Sequence, residues 1–202
     1  MSSTPLLILA SNSPRRQELL KLSGFEFEVF VRDFPEDFPD DMDVYQVAEF
    51  LAEQKNKHYR LLRPEALILT ADTTVIANQQ VINKPKDFND AVEMLGILSG
   101  NTHQVVSGVC ISSTDKKISF SEITEVTFAE LSKGDIENYI KQYKPFDKAG
   151  SYGIQESIGL THIESIKGSF YNVMGLPTHQ VYKILTNEFG VKTTNPPTGI
   201  QS

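Results

Sequence analysis

The segment Leu6–Arg16 reads LLILASNSPRR and carries the two signals that decide the fold class. Its first part, Leu6–Ala10, is a continuous apolar run, which is typical of a strand buried on both faces. Ser13 and Pro14 then provide a helix N-cap and a residue suited to the first helical position. The leucines that follow give this helix an apolar face, and Gly24 ends it. A buried strand therefore passes through a tight loop into a helix.

Strand and helix signals alternate along the rest of the chain. In the segment 43–62 apolar positions step by three and four residues, which predicts a long helix that begins with Asp43 and Gln46 as a capping box. Lys55 continues the apolar stripe of this helix. The alternation, interrupted by one long hairpin, predicts a mixed α/β sheet flanked by helices. The predicted strands are 6–10, 25–31, 66–71, 73–77, 81–82, 105–112, 118–128 and 160–166, and the further helices are 89–98, 132–143 and 178–189.

The composition sets the domain organisation and the compartment. Residues 1–192 are expected to form one domain, and the tail 193–202, with two prolines and a glycine, is expected to be disordered. A formal net charge of −7 argues against a nucleic-acid polymer or an anionic membrane as partner. The apolar run 6–10 is too short to span a bilayer and follows no basic segment, so neither a membrane helix nor a signal peptide is expected. Cys110 is the only cysteine, which predicts a reducing, cytoplasmic setting.

Several common catalytic signatures are absent from the sequence. It contains no GxxxxGK[ST] loop, no strand-to-helix GxGxxG, no HExxH and no GxSxG elbow. The four histidines stand far apart, and each is expected to be a surface or hydrogen-bonded residue rather than a ligand. Cys110 lies in an apolar strand, where a cysteine usually packs.

Two arginines lie in the first turn of the first predicted helix. Free backbone N–H groups and the helix dipole favour an anion there. Arg15 and Arg16 oppose that dipole unless an anion lies between them, although they could equally pair with acidic side chains or be solvated. Ser11 and Ser13 in the same turn could donate to a phosphate, whereas Ser13 could equally serve only as the helix cap.

A carboxylate and two lysines occupy unusual places. Asp72 follows the apolar run 66–71, where it is costly to bury without a cation or a role in proton transfer, and where α/β sheets tend to bind ligands. The alternative is an aspartate that caps a helix or a turn. Lys55 on an apolar helix face could be a snorkelling side chain, and Lys84 after a strand could be an exposed loop lysine.

Together these cations and carboxylates predict a site for a triphosphate and a divalent metal. Magnesium usually takes one or two protein carboxylates and leaves its other positions to water and phosphate oxygens. Asp72 and Glu36, which belongs to an acidic loop, satisfy that requirement.

The motifs, in this order, resemble those of the Maf family of nucleotide pyrophosphatases, from Leu6 to about Gly190. The most specific are SxSPRR, ADT and DKAGxYGIQ. The matching segments are ASNSPRR (10–16), Lys55, ADTTV (71–75), NKP (83–85), LSGNTH (98–103), DKAGSYGIQ (147–155) and NVMGLP (172–177).

The resemblance implies an elongated fold similar to that of inosine triphosphatases, with a cleft between two lobes. It also implies a divalent metal cation such as Mg, Mn or Co, and a homodimer. Asp72 matches the catalytic base, and Glu36 the second acidic residue, although FPED at 34–37 leaves Asp37 as the alternative. The residues that match the phosphate site are Ser11, Arg15, Arg16, Lys55 and Lys84.

Three positions distinguish branches of the family. Arg15, Thr73 and Gln155 match the branch that cuts dTTP and UTP, whereas the branch that prefers 7-methyl-GTP has Trp and Gln at the first two. The resemblance therefore implies hydrolysis of a pyrimidine nucleoside triphosphate to the monophosphate and pyrophosphate. The alternatives are a nucleotide-binding regulatory module linked to cell division arrest, with weak hydrolysis, and a broad house-cleaning enzyme for modified nucleotides.

Overall fold

The computed structural model describes residues 6–194, which form a mixed α/β fold and confirm the predicted class. Seven strands in this part of the chain make one sheet, with helices packed on its faces. The strands are β1 (Leu7–Leu9), β2 (Glu28–Val29), β3 (Leu67–Ala77), β4 (Gln80–Ile82), β5 (Thr102–Ser112), β6 (Lys117–Phe128) and β7 (Ile163–Lys167). The helices are α1 (Pro14–Leu22), α2 (Val47–Leu62), α3 (Phe88–Leu98), α4 (Lys133–Tyr143), α5 (Ser157–His162), α6 (Phe170–Val173) and α7 (Thr178–Lys183).

The sheet contains a gap on one side of β3. The strand order is β2-β1-β3-β5-β6-β7, with β1 parallel to β2 and β3 and the later neighbours antiparallel. On the side away from β5, strand β1 pairs with residues 67–69 of β3, and β4 pairs with residues 75–77. Residues 70–74 therefore have a strand partner only on the β5 side. Backbone groups on the open side of β3 must be satisfied by other means.

Two predicted elements begin or end elsewhere than expected. Strand β2 covers only residues 28–29 of the predicted 25–31, because Phe25 is buried and packs on Tyr182 instead. Helix α2 begins at Val47 rather than Asp43. The Asp43 carboxylate accepts from the N–H of Tyr45 and forms a turn, and Gln46 makes no side-chain cap hydrogen bond, so the predicted capping box is wrong.

Two further strand predictions need correction. The segments 66–71 and 73–77 form one continuous strand, β3, so Asp72 lies inside a strand rather than at its end. The segment 160–166 is divided between α5 and β7. Helix α5 has six residues, too few to show an apolar period, and Gly159 packs tightly on the Ile154 carbonyl there.

The other predicted helices and the hairpin are confirmed with small shifts. Ser13 caps α1 as expected, and the last predicted helix continues from α7 through a wider turn, Ile184–Glu188. Of the predicted tail, residues 195–202 lie outside the described residues, whereas Thr194 donates its N–H to the Gly24 carbonyl at 2.9 Å. No helix within residues 6–194 is long and apolar enough to cross a membrane.

Helix α2 touches the sheet directly at Gly108. This glycine on β5 pairs with Asp72 on β3. A Cβ atom at Gly108 would lie 2.2 Å from the carbonyl carbon of Ala48 and from the N of Glu49, a separation that no side chain could take. The glycine therefore sets how closely the helix approaches the strands.

Hydrogen bonds between α2 and the sheet continue along the helix. Thr70 on β3 donates its hydroxyl to the Ala52 carbonyl at 2.7 Å. One turn later, the Asn56 amide donates to the carbonyls of Ile68 and Cys110, each at 3.1 Å. These contacts fix the helix over β3 and β5 on both sides of Lys55.

Substitution of Gly108 by alanine is expected to lower the free energy of unfolding by about 3 kcal/mol, because the helix backbone must move outward. The matched control is Gly96→Ala on α3, where a Cβ atom would meet nothing within 4 Å. That change is expected to raise stability by about 0.5–1 kcal/mol through helix propensity. Urea unfolding measures both, and similar stabilities for the two variants would contradict the assigned close contact.

Candidate functional site

A cleft of about 680 Å³ opens beside the gap in the sheet. Its lining draws on the β1–α1 loop, the segment before α2, strand β3, and the loops after β4, α4 and α6. All of the residues predicted for the site from the sequence lie on its surface. They are Ser11, Ser13, Arg15, Arg16, Glu36, Lys55, Asp72, Thr73, Lys84 and Gln155.

One ammonium group joins the two predicted metal ligands. Lys55 Nζ lies 2.6 Å from Asp72 Oδ1 and 2.7 Å from Glu36 Oε1. Lys55 and Asp72 are both buried, which is tolerated because the charges pair directly. The predicted position of Lys55 on the buried stripe of α2 is thus confirmed, and its charge faces a carboxylate rather than solvent.

Glu36 connects this pair to the open side of the cleft. Its second oxygen, Oε2, accepts from Lys84 Nζ at 3.2 Å. Burial alone would raise the pKa of Glu36, but the hydrogen bond from Lys55 and the charges of Lys55 and Lys84 lower it below the ordinary value. Of the two alternatives left by the FPED segment, Glu36 contributes to the cleft lining and Asp37 does not.

Arg16 occupies the open side of β3. Its Nη1 donates to the Ala71 carbonyl at 2.9 Å, one of the groups that no strand pairs. The same guanidinium donates from Nε to the Gly175 carbonyl at 2.8 Å and from Nη2 to the Thr73 hydroxyl at 2.9 Å. Burial lowers the pKa of Arg16, and the nearby charge of Asp72 opposes that shift. Arg16 therefore joins the β1–α1 loop, β3 and the loop after α6.

Thr73 uses its hydroxyl within the protein. Besides accepting from Arg16, the oxygen lies 2.9 Å from the Ser107 hydroxyl on β5. Ser107 in turn donates to the Asn172 carbonyl at 3.0 Å. The hydroxyl of Thr73, one of the three positions that distinguish branches of the family, is thus part of the set of bonds that orients Arg16.

The serines of the first turn have separate roles. Ser13 Oγ caps α1 by accepting from the N–H of Arg16 at 3.5 Å, which is the cap alternative. Ser11 Oγ accepts from the N–H of Ser13 and from Arg16 Nη1, both at 3.3 Å. Among residues 6–194 the Ser11 hydroxyl has no acceptor, so it can donate its proton into the cleft, as binding of a phosphate requires.

Arg15 lines the cleft next to residues that the sequence did not single out. Its Nη1 lies 3.5 Å from Asp147 Oδ2, and its Nε donates to the Met174 carbonyl at 3.3 Å. Buried Lys148 pairs with Asp147 at 2.9 Å and with Glu156 at 3.3 Å. Asp147 and Lys148 entered the sequence analysis only as part of the motif DKAGSYGIQ (147–155), because no local periodicity connects them with Arg15.

The residues excluded from the site by sequence reasoning lie elsewhere. The described lining of the cleft contains no histidine and no cysteine. His103 is buried and makes a 2.8 Å hydrogen bond with the Tyr152 hydroxyl, which confirms the expectation of a hydrogen-bonded histidine. Cys110 is buried in β5, and burial raises the pKa of its thiol to about 12, so the packing interpretation is confirmed.

The donor set at Asp72 and Glu36 suits a cation that arrives with phosphates. Both carboxylates direct an oxygen at the same point, as their shared contact with Lys55 shows. Within residues 6–194, no group of three or more acidic, histidine or cysteine side chains could hold a metal without other ligands. Two carboxylates, with the remaining positions taken by phosphate oxygens and water, match the preference of magnesium.

Comparisons with known proteins agree on one family. A family model described as Maf-like protein matches residues 6–188. A protein of Phocaeicola vulgatus named dTTP/UTP pyrophosphatase is 49% identical over 87% of this chain and 92% of its own length. Proteins with the same name from Porphyromonas gingivalis and Flavobacterium psychrophilum are 47% and 46% identical, over 91% and 90% of this chain and 94% and 93% of theirs.

Replacement of Thr73 by valine is expected to lower the free energy of unfolding by about 2 kcal/mol, because the half-buried, charged Arg16 guanidinium loses an acceptor. Thr73→Ser keeps the hydroxyl and is the matched control. Both variants are compared with the parent by urea unfolding. If the valine and serine variants lose the same free energy of unfolding, the Thr73 hydroxyl does not hold Arg16.

Proposed function

The chain belongs to the Maf family, and we propose that it is a nucleoside triphosphate pyrophosphatase that hydrolyses dTTP and UTP to the monophosphate and pyrophosphate. The observation that carries this proposal is the buried Lys55–Asp72 pair, which opens into a cleft where further cations converge. A carboxylate beside a phosphate-binding surface is unfavourable for simple anion binding, but it is useful for activating water. The names of the relatives give the substrate class.

In the proposed reaction a water molecule attacks the α-phosphorus of the nucleotide. A bond forms between the water oxygen and phosphorus, and the bond from the α-phosphorus to the bridging oxygen breaks. Its electron pair leaves with pyrophosphate, and Asp72 accepts a proton from the water. Within residues 6–194 only Oδ1 of Asp72 makes a hydrogen bond, so Oδ2 is available to the water.

Cations of the cleft stabilise the charge of the phosphate groups. Lys84 is half-exposed, and its one ion pair with a described residue is with Glu36, so it can turn to a phosphate with little reorganisation. Lys55 keeps Asp72 oriented. Arg15 and the Ser11 hydroxyl face the same space from the β1–α1 side. We place the β- and γ-phosphates, which become the leaving group, among these residues.

A divalent cation such as Mg, Mn or Co is part of the proposal. Asp72 and Glu36 would hold it, and when bound it would neutralise phosphate charge and polarise the attacked phosphorus. The convergence of the two carboxylates on one point supports this assignment. We further propose that the enzyme works in the cytoplasm, in keeping with its single cysteine, and as a homodimer.

The alternative function, a regulatory module that binds the nucleotide and hydrolyses it only weakly, is not favoured. Such a module gains nothing from a buried carboxylate next to an anionic ligand, because the repulsion weakens binding. Removal of modified pyrimidine nucleotides would use the same site and the same chemistry, and is included in the proposal as house-cleaning.

The reaction is tested with UTP and dTTP in ¹⁸O-labelled water. The label is expected in the monophosphate, with intact pyrophosphate released, since attack occurs at the α-phosphorus. Label in orthophosphate together with accumulation of the diphosphate would show attack at the γ-phosphorus and refute the proposal.

Asp72→Asn, which preserves shape, is expected to lower kcat by at least about a hundredfold, while nucleotide binding measured by calorimetry is retained.

Base selection is expected to depend on Gln155, whose exposed side chain lies on the cleft rim. An amide that pairs with the uracil edge is worth about 1–3 kcal/mol, so Gln155→Ala should reduce the ratio of kcat/KM for UTP to that for CTP by about tenfold to a hundredfold. Gln142→Ala, at an exposed position of α4, is the control. An unchanged ratio in Gln155→Ala would show that this residue does not read the base.

A further inference from the structure

The loop that carries Gln155 has a strained backbone. Gly150 and Ser151 both have positive φ angles, 69° and 62°. The second of these is unfavourable for a serine, because its Cβ crowds the backbone in the left-handed region. Ser151 is also fully buried, and its hydroxyl has no hydrogen-bond partner among the described residues. Such a conformation persists only if surrounding contacts hold the loop in place.

The side chain of Lys148 links the two ends of this loop. Its ammonium lies 2.9 Å from Asp147 Oδ1 at the start of the loop and 3.3 Å from Glu156 Oε1 just after Gln155. The side chain of Lys148 is 9% exposed and that of Glu156 15%. The two ends of the segment are therefore joined through one buried cation. Screening by water is weak at the Glu156 contact, whereas Asp147 is exposed.

Tyr139 on α4 attaches the closed loop to the body of the protein. Its hydroxyl donates to Glu156 Oε2 and accepts from the N–H of Gly153 at 2.9 Å. Burial and the neighbouring Glu156 raise the pKa of Tyr139, which keeps the hydroxyl protonated and able to donate. Glu156 thus has a partner on each oxygen, one from α4 and one from the loop.

The other end of the network reaches Arg15. Asp147 accepts from Lys148 through Oδ1 and pairs with Arg15 Nη1 through Oδ2 at 3.5 Å. Burial alone would raise the pKa of Asp147, but Lys148 and Arg15 lower it, which keeps the carboxylate ionised. Gln155, which is expected to read the base, and Arg15, which faces the phosphate space, are therefore connected to the same lysine, one at each side of the loop.

We propose that Lys148 is a positioning residue for base selection, which acts on the nucleotide through Gln155 by fixing the loop 147–156. This inference rests on the proposed function. Lys148 holds Asp147 and Glu156 at a set separation, and the amide of Gln155, adjacent to Glu156, is thereby kept at the cleft rim. A displacement of about 1 Å is enough to lose a directional hydrogen bond to the base edge.

The test is a double-mutant cycle read out as substrate selectivity. Lys148→Met, Gln155→Ala and the double variant are compared by their ratios of kcat/KM for UTP to that for CTP. If Lys148 acts through Gln155, Lys148→Met reduces the ratio by about tenfold, and the double variant has the same ratio as Gln155→Ala alone. Lys167→Met, which removes an exposed lysine paired with Glu125, is expected to leave the ratio unchanged.

A second variant protects the test against misfolding. Glu156→Gln keeps the shape of the side chain but removes the charge that attracts Lys148, and it is expected to reduce the ratio in the same direction. If Lys148→Met or Glu156→Gln lowers kcat/KM equally for both nucleotides, Lys148 contacts phosphate or only supports folding, and the proposal is overturned. Multiplicative effects in the double variant overturn it as well.

The proposed function and this inference fail in different ways. Absence of pyrophosphate release by the parent would refute the function. A parent that prefers UTP while Lys148→Met and Glu156→Gln keep the full preference would refute only the positioning role.

Discussion

At Gly108, the backbone of α2 rests on β5 with no side chain between them, and the position of the Lys55 ammonium depends on this contact. Lys55 lies seven residues beyond Ala48 on the same helix, which is about 10 Å along its axis. The helix therefore carries the contact at Gly108 directly to the ammonium beside Asp72. A pair separated by 2.6 Å tolerates little movement of either partner, so the packing of the helix on the strands becomes part of the electrostatics of the cleft.

Because of the gap beside β3, side chains from both faces of the sheet line the same cleft. Asp72 and Thr73 are neighbours on a strand, so their side chains point to opposite faces. On one face Asp72 meets Lys55, and on the other Thr73 meets Arg16. In a fully paired sheet these groups would be separated by a neighbouring strand. Here the missing strand pairing lets a carboxylate from one layer and a guanidinium from the other lie on the same cavity wall.

Local sequence signals predicted the parts of this arrangement that depend on neighbouring residues. The cap at Ser13 and the buried place of Lys55 follow from cap chemistry and helical period, and both are confirmed. The continuation of β3 through Asp72 could not be predicted, because its carboxylate is satisfied by Lys55 from a distant element. The same holds for Asp147, whose partner Arg15 is 132 residues away in the chain. The motif resemblance supplied what periodicity could not, namely which of the scattered polar residues belong together.

The unpaired edge of β3 also has a bearing on self-association. Exposed strand edges are templates on which other chains can add a strand, and natural proteins protect them with charges or by covering them. The Arg16 guanidinium covers this edge by bonding the Ala71 carbonyl, and it places a positive charge where an incoming strand would have to lie. Arg16, which lines the cleft, thus hinders edge-to-edge aggregation of the folded protein. A cleft placed at a break in a sheet is in this way protected from unintended strand addition, because one side chain closes the break.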